Sequence, residues 1–154
     1  MTLRAGDRAP DFELPDQQGT PRRLGDLLAD GPVVLFFYPG AMTPGCTAES
    51  CHFRDLGAEF AGVGAQRVGI SADAVEKQAT FADKYSFDYP LLSDSDRTVA
   101  SAYGVKRGFG PIPTKRATFV IDSDGRILDV VRSEVRMNVH ADRALDALRG
   151  RSAR

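Results

Sequence analysis

The chain has 154 residues, 42% hydrophobic and 27% charged, with 20 Lys and Arg against 21 Asp and Glu for a net charge of −1. That balance, with no block of like charge, excludes the basic footprint of a nucleic-acid binder. The length suits one hydrophobic core of about 100–150 residues, so residues 1–150 are expected to form one domain and 151–154 a frayed polar tail. Two cysteines, Cys46 and Cys51, are too few for a disulfide framework in a chain able to bury a full core, and they point to chemistry. The first residues hold no apolar targeting segment, and the longest apolar run, 33–38, is far shorter than a bilayer of about 30 Å requires. A cytoplasmic protein without a membrane partner is expected.

In chain order, residues 12–14 and 20–23 flank the turn-forming Asp16-Gln17-Gln18-Gly19 and read as a hairpin. A short helix follows over 24–29. Residues 32–38, Pro-Val-Val-Leu-Phe-Phe-Tyr, form a continuous apolar run, as a strand buried on both faces should. After Gly45, Ala48, Phe53, Leu56 and Phe60 recur at helical intervals. A strand is expected over 67–71, then a helix to about Tyr85 capped by Asp73 with Glu76 three residues on, its inner face carrying Val75, Ala79 and Ala82. Residues 89–92 read as a strand and 97–103 as a short helix ended by Gly104. A strong strand over 117–122 turns through Ser123-Asp124-Gly125 into a second over 126–131. A last helix over 139–149 places Leu145 and Leu148 inward. Alternating strands and helices closed by a hairpin imply an α/β fold with a mixed central sheet flanked by helices.

The stretch Tyr38-Pro39-Gly40-Ala41-Met42-Thr43-Pro44-Gly45-Cys46 carries the chemistry. A buried strand ends, a Pro-stiffened loop follows, and Cys46 falls at the start of a helix. Free backbone N–H groups and the positive end of the helix dipole favour an anion there. Thr43 offers a hydroxyl to a thiolate or a bound oxygen, and Gly45 lets a ligand approach the backbone. A free cysteine is often a small buried hydrophobe, but with Pro, Gly and Thr neighbours in a turn Cys46 is expected outside the apolar core, as a reactive thiolate. Cys51 lies five residues on. On an intact helix that spacing gives about 7.5 Å of rise and about 140° of rotation. The Cα atoms then stand roughly 8.5–9 Å apart, beyond the ~7 Å limit for a disulfide. Pairing requires the helix to unwind, which suits a transient bridge and not a structural one. A packing role for Cys51 is the plain alternative.

Pro39-x-x-x-Thr43-x-x-Cys46 is similar to the active-site motif of peroxiredoxins. Phe37-Tyr38-Pro39 and Met42-Thr43-Pro44-Gly45-Cys46-Thr47-Ala48-Glu49-Ser50-Cys51 resemble the Q-type, or bacterioferritin comigratory protein, subfamily. The resemblance extends from Gly6-Asp7-Arg8-Ala9-Pro10-Asp11-Phe12 to Arg116-Ala117-Thr118-Phe119-Val120-Ile121-Asp122. It implies a thioredoxin-like fold with an N-terminal hairpin extension and a thiol-dependent peroxidase acting on hydrogen peroxide and organic hydroperoxides. Cys46 would be the peroxidatic nucleophile, Arg116 the cation beside it, Pro39 its shield, and Thr43 a ligand for peroxide oxygen. Glu49 would orient the network, and Cys51 would resolve the sulfenic acid as an internal disulfide recycled by thioredoxin or a similar dithiol protein. The resemblance implies no organic cofactor and no metal, and a monomer or weak homodimer. Gly40 and Ala41 depart from it, replacing a charged pair.

By its residue type alone, Arg116 cannot be told from its neighbour Lys115. Residues 104–113, with Phe109-Gly110-Pro111-Ile112-Pro113, are either an apolar wall for alkyl hydroperoxides or a plain connection. Cys46, Cys51, His52 and His140 lack the short-spaced pair usual in zinc sites, and Cys46-x-x-x-x-Cys51-His52 is wider than a haem-attachment motif. A general disulfide oxidoreductase is disfavoured by the absence of Cys-x-x-Cys. The stronger alternative is a peroxide-sensing relay using the same disulfide, because its first chemical step is shared.

Overall fold

The computed structural model describes residues 3–106 and 114–152; the 107–113 part of the expected apolar wall lies outside them. The chain runs β1 (Glu13–Pro15), β2 (Pro21–Arg23), α1 (Leu24–Leu28), β3 (Val33–Phe37), α2 (Pro44–Asp55), α3 (Gly57–Gly62) and β4 (Gln66–Ser71). It continues α4 (Val75–Tyr85), β5 (Leu91–Ser93), α5 (Thr98–Ala102), β6 (Ala117–Ile121), β7 (Ile127–Arg132) and α6 (Val139–Ser152). Strands β1 and β2 form the expected antiparallel hairpin, and the other five make a mixed sheet in the order β5-β4-β3-β6-β7.

The apolar run of β3 is buried throughout because it lies mid-sheet with helices on both faces. Val33, Leu35 and Phe37 join one core with Leu24, Leu27, Val99, Tyr103 and Phe119. Val34, Phe36 and Tyr38 join the other with Phe53, Phe60, Phe81 and Leu145. Period-two alternation thus splits one strand between two cores. The Phe36 and Phe53 rings stack at 4.1 Å between centroids, which seats α2 on the sheet. Strand β3 pairs parallel with β4 and antiparallel with β6, with Phe37 opposite Ala117. That register sets the loop after β3 beside Arg116.

Four sequence expectations change. The helix begun near Gly45 is two helices, broken at Leu56 (φ −94°, ψ 17°), and Ala48 on its first half is exposed. The N-cap of α4 is Ala74 with no side-chain cap, so Asp73 and Glu76 form no capping box. Asp73 Oδ2 instead accepts hydrogen bonds from the Ala41 amide and the Ser71 hydroxyl, both at 2.7 Å. The inner face of α4 carries Gln78, Phe81 and Ala82. Gln78 is buried because its amide is satisfied: Oε1 accepts from Tyr38 at 2.5 Å, and Nε2 donates to Leu92 O at 2.8 Å and to Ser71 Oγ at 3.0 Å. Lastly, α6 runs through Ser152, and Arg151 donates to Asp122 Oδ1 at 2.7 Å. The expected tail therefore begins as helix at 151–152.

Candidate active site

Thr43 is the extended N-cap of α2, Pro44 takes the first helical position where its missing N–H costs nothing, and Cys46 lies in the first turn. Contrary to the expectation that it lies outside the apolar core, Cys46 is fully buried in the cluster of Phe36, Tyr38 and Phe53, because the first turn of α2 packs down on the sheet after the half-buried Pro39. Two backbone anchors hold that loop. Thr43 Oγ1 donates to Gly40 O at 2.8 Å, and the buried Ala41 gives its amide to Asp73. Met42 between them has φ +70°, a left-handed conformation that non-glycine residues adopt at a cost of about 1–3 kcal/mol. Gly40 and Ala41, which carry no charge, are thus tied down through their main chain.

Arg116, only 6% exposed, reaches the helix start across 70 residues of sequence. Its Nη2 donates to Cys46 Sγ at 3.2 Å and its Nη1 to Glu49 Oε1 at 2.7 Å. One planar fork thereby spans the sulfur and the carboxyl, a geometry that suits Arg and not Lys. Its backbone N–H donates to Glu134 Oε1 at 2.8 Å. Gly45 is tightly placed: a Cβ there would stand 3.3 Å from Arg116 Nη2 and 3.5 Å from Met137 Sδ. A cavity of about 380 Å³ opens beside Arg116, lined by Val105, Lys115, Arg132 and Glu134 among others. A larger groove of about 670 Å³ runs past Arg8, Leu24 and Ser123, shares no residue with this cluster and has no cysteine in its lining.

Glu49 is fully buried. Burial pushes its carboxyl up to about 8 against the opposing pull of Arg116, and Glu134 adds to the rise. The folded protein therefore keeps a proton that the unfolded chain, at the ordinary value of 4.5, gives up. Stability against urea should be greatest below that value and fall as pH rises from about 4.5 to about 8. Glu49→Gln should flatten this slope; an unchanged slope would mean that Glu49 titrates normally.

Cys51 lies part-buried on the same unbroken helix, and both thiols are free. Burial pushes the Cys51 thiol up, Arg54 opposing and Asp55 adding. His52 bonds Asp142 at 2.8 Å, while His140 faces Thr118 and Ser133. Among the described residues no group of three or more His, Cys, Asp or Glu is placed to hold a metal ion, and no helix is long and apolar enough to cross a membrane.

Residues 5–130 match the model of the AhpC/TSA family. The chain belongs to that family. It is 38% identical to peroxiredoxin Bcp of Bacillus subtilis over 157 residues, covering 99% of each chain. Its structure is similar to that of peroxidoxin BcpB from Mycobacterium tuberculosis, with 64% identity, a TM-score of 0.93, and 96% and 97% of the two chains covered. It is also similar to the bacterioferritin comigratory protein of Xanthomonas campestris, for which alkyl peroxide reduction is described, at 32% identity and TM-score 0.83 over 92% of each chain. The fold is thioredoxin-like with the hairpin extension. This peroxiredoxin is an oxidoreductase that reduces peroxide with thiols, and the kinship favours the enzyme over the peroxide-sensing relay.

The sequence singled out Cys46, Cys51, Thr43, Pro39, Gly45, Glu49 and Arg116; the structure joins Cys46, Gly45 and Glu49 to Arg116, while Thr43 bonds back to Gly40, Pro39 is half-buried in the loop and Cys51 stays apart on the intact helix. Asp73, Glu134, Met137 and His140 reach the loop and the cluster by tertiary folding; the sequence offers Asp73 only as a helix cap and His140 only in a disfavoured zinc set, and gives no sign of the other two.

Proposed function

We propose that Cys46 is the peroxidatic nucleophile of this enzyme, an assignment carried by the Arg116 Nη2 contact at 3.2 Å from its sulfur on the first turn of α2. The thiolate attacks the outer oxygen of a hydroperoxide. An S–O bond forms, the O–O bond breaks, and the leaving oxygen departs as alkoxide or hydroxide and takes a proton. Arg116, the Thr43 hydroxyl and the backbone beside Gly45 bind the substrate: Thr43, whose proton goes to Gly40 O, accepts from the hydroperoxide O–H, while the fixed dipoles of Arg116 and the backbone stabilise charge on the leaving oxygen better than mobile water does. Pro39 and the loop exclude solvent from the sulfur. The product is a Cys46 sulfenic acid.

Resolution asks α2 to unwind, and the anchors say from which end. Tyr89 donates to Ser50 O at 2.7 Å, Arg67 to Phe53 O at 3.0 Å, and Phe53 is stacked on Phe36, so the second half is tied to the sheet. In the first turn the polar hold on Cys46 is Arg116 Nη2, and that grip on an anionic sulfur weakens on oxidation. Local opening therefore starts at Pro44 and frees Cys46. Cys51 as thiolate attacks the sulfenic sulfur, an S–S bond forms, the S–O bond breaks, and hydroxide leaves as water. Thioredoxin or a similar dithiol protein then exchanges the disulfide back to two thiols. Substrates on this reading are hydrogen peroxide and organic hydroperoxides. The working form is a cytoplasmic monomer or weak homodimer.

Cys51→Ser should consume one equivalent of peroxide per chain and then stop when thioredoxin and its reductase are supplied. Mass spectrometry of the wild type after one equivalent should find a Cys46–Cys51 bridge. A persistent sulfenic acid with Cys51 free would remove Cys51 from the cycle.

A further inference from the structure

His140, at the start of α6, is fully buried and has no part in the chemistry above. Its Nε2 lies 2.9 Å from Ser133 O and its Nδ1 2.8 Å from Thr118 Oγ1. A carbonyl only accepts, so Nε2 carries the ring proton; in the neutral ring Nδ1 is an acceptor, filled by the Thr118 hydroxyl. Burial keeps the ring neutral by holding its pKa below the ordinary value; Arg116 and Arg143 act the same way, and the Ser133 contact and Glu134 oppose them.

The same Nδ1 stands 3.6 Å from Glu49 Oε2, too far for a formed hydrogen bond. Oε2 is buried and has no hydrogen-bond partner among the described residues. The ring edge facing Glu49 thus presents no donor, its one lone pair being taken by the Thr118 hydroxyl. An ionised carboxylate oxygen needs donors when buried, and a protonated one does not.

We infer that His140 is a positioning residue of the peroxidase: oriented by Ser133, it holds the Thr118 hydroxyl on its own Nδ1 and so offers Glu49 Oε2 no donor, which keeps that carboxyl in its acid form against Arg116. This rests on the peroxidase reading and deepens it. As an acid, Glu49 still anchors Nη1 through Oε1, while the whole guanidinium charge stays available to Cys46. Ionised, it would compete with the sulfur for that charge. The charged and titratable groups around the pair are Cys46 on α2, Arg116 before β6, Glu134 after β7 and Arg143 on α6.

The test compares wild type, His140→Asn, His140→Gln and Thr118→Val in kcat/KM for hydrogen peroxide across pH, with excess dithiol reductant. Asn places an oxygen acceptor where Nδ1 was. Gln reaches toward Ser133 and leaves the Thr118 hydroxyl free to donate to Glu49. The wild-type rate should decline along an alkaline limb near the Glu49 value of about 8. His140→Asn should stay within about threefold of it. His140→Gln should lose about tenfold, since about 1 Å of misplacement can cost up to about 10²-fold, and its limb should move to lower pH. Thr118→Val, which removes that hydroxyl and frees the Nδ1 lone pair, should move the limb up or leave it. Equal losses in the Asn and Gln variants, or a Gln limb at or above the wild-type position, would overturn the inference. If the Gln variant does not fold, a Thr118→Val limb below wild type overturns it alone. A wild-type chain that reduces no peroxide overturns the peroxidase reading instead. The positioning role is then read without turnover, from the pH window of falling stability, which should move down in His140→Gln and not in His140→Asn.

Discussion

Cys46→Ser should fold and consume no peroxide above the uncatalysed background. Sulfur at this position is fully buried and faces a guanidinium Nη2 at 3.2 Å. A hydroxyl fits the space, but it is far less acidic than a thiol and has no adjacent base to activate it. The donors of α2 and Arg116 remain in the variant, so what is lost is the nucleophile and nothing else. Circular dichroism should show the native fold, and a peroxidase assay with thioredoxin and its reductase should be flat. Thiol-dependent turnover in this variant would move the chemistry away from Cys46.

Arg116→Met should reduce kcat/KM for peroxide by about 10²–10³-fold, equivalent to about 3–4 kcal/mol of transition-state stabilisation. Two contacts disappear together, one to the sulfur and one to Glu49. Arg116→Lys should recover little of this. An ammonium is a point charge and cannot span Cys46 Sγ and Glu49 Oε1 as the fork does. The loss should fall on the oxidation step, measured as the rate of sulfenic acid formation under single turnover, and leave reduction of the disulfide unaffected. An Arg116→Met enzyme within about threefold of wild type would show that the helix start and the loop alone sustain the reaction.

Much of the fold was legible because its signals are local. The run Val33–Phe37 could be read as a doubly buried strand from composition alone, and Asp16 to Gly19 and Ser123 to Gly125 as turns from their residue types. The misreadings arose where a polar side chain had two uses. Asp73 fits a helix cap by spacing, yet its carboxylate serves the Ala41 amide and the Ser71 hydroxyl, because an unpaired buried N–H in the loop costs more than an uncapped helix end. Gln78 has no place on the inner face expected from Val75, Ala79 and Ala82, since nothing in sequence shows that Tyr38, Ser71 and Leu92 converge on it. In the site itself, the segment from Pro39 to Cys51 was visible as a unit. Arg116 stands out only through the family pattern, and His140 only as a member of a zinc set that its spacing disfavours.

The sequence by itself determined that this protein carries two cysteines of unequal context, one at a helix start behind a stiffened loop and one five residues on. Those are matters of local geometry: Pro and Gly punctuation, helix periodicity and rise per residue. The tertiary structure alone decided which charges meet the first of them. The antiparallel register of β3 with β6, Phe37 opposite Ala117, carries Arg116 to the sulfur, and the packing of α6 on the sheet carries His140 to Glu49. Such contacts join residues 70 and 91 positions apart, Cys46 with Arg116 and Glu49 with His140. Only burial makes them matter, because away from water a single charge or lone pair sets the protonation of its neighbour.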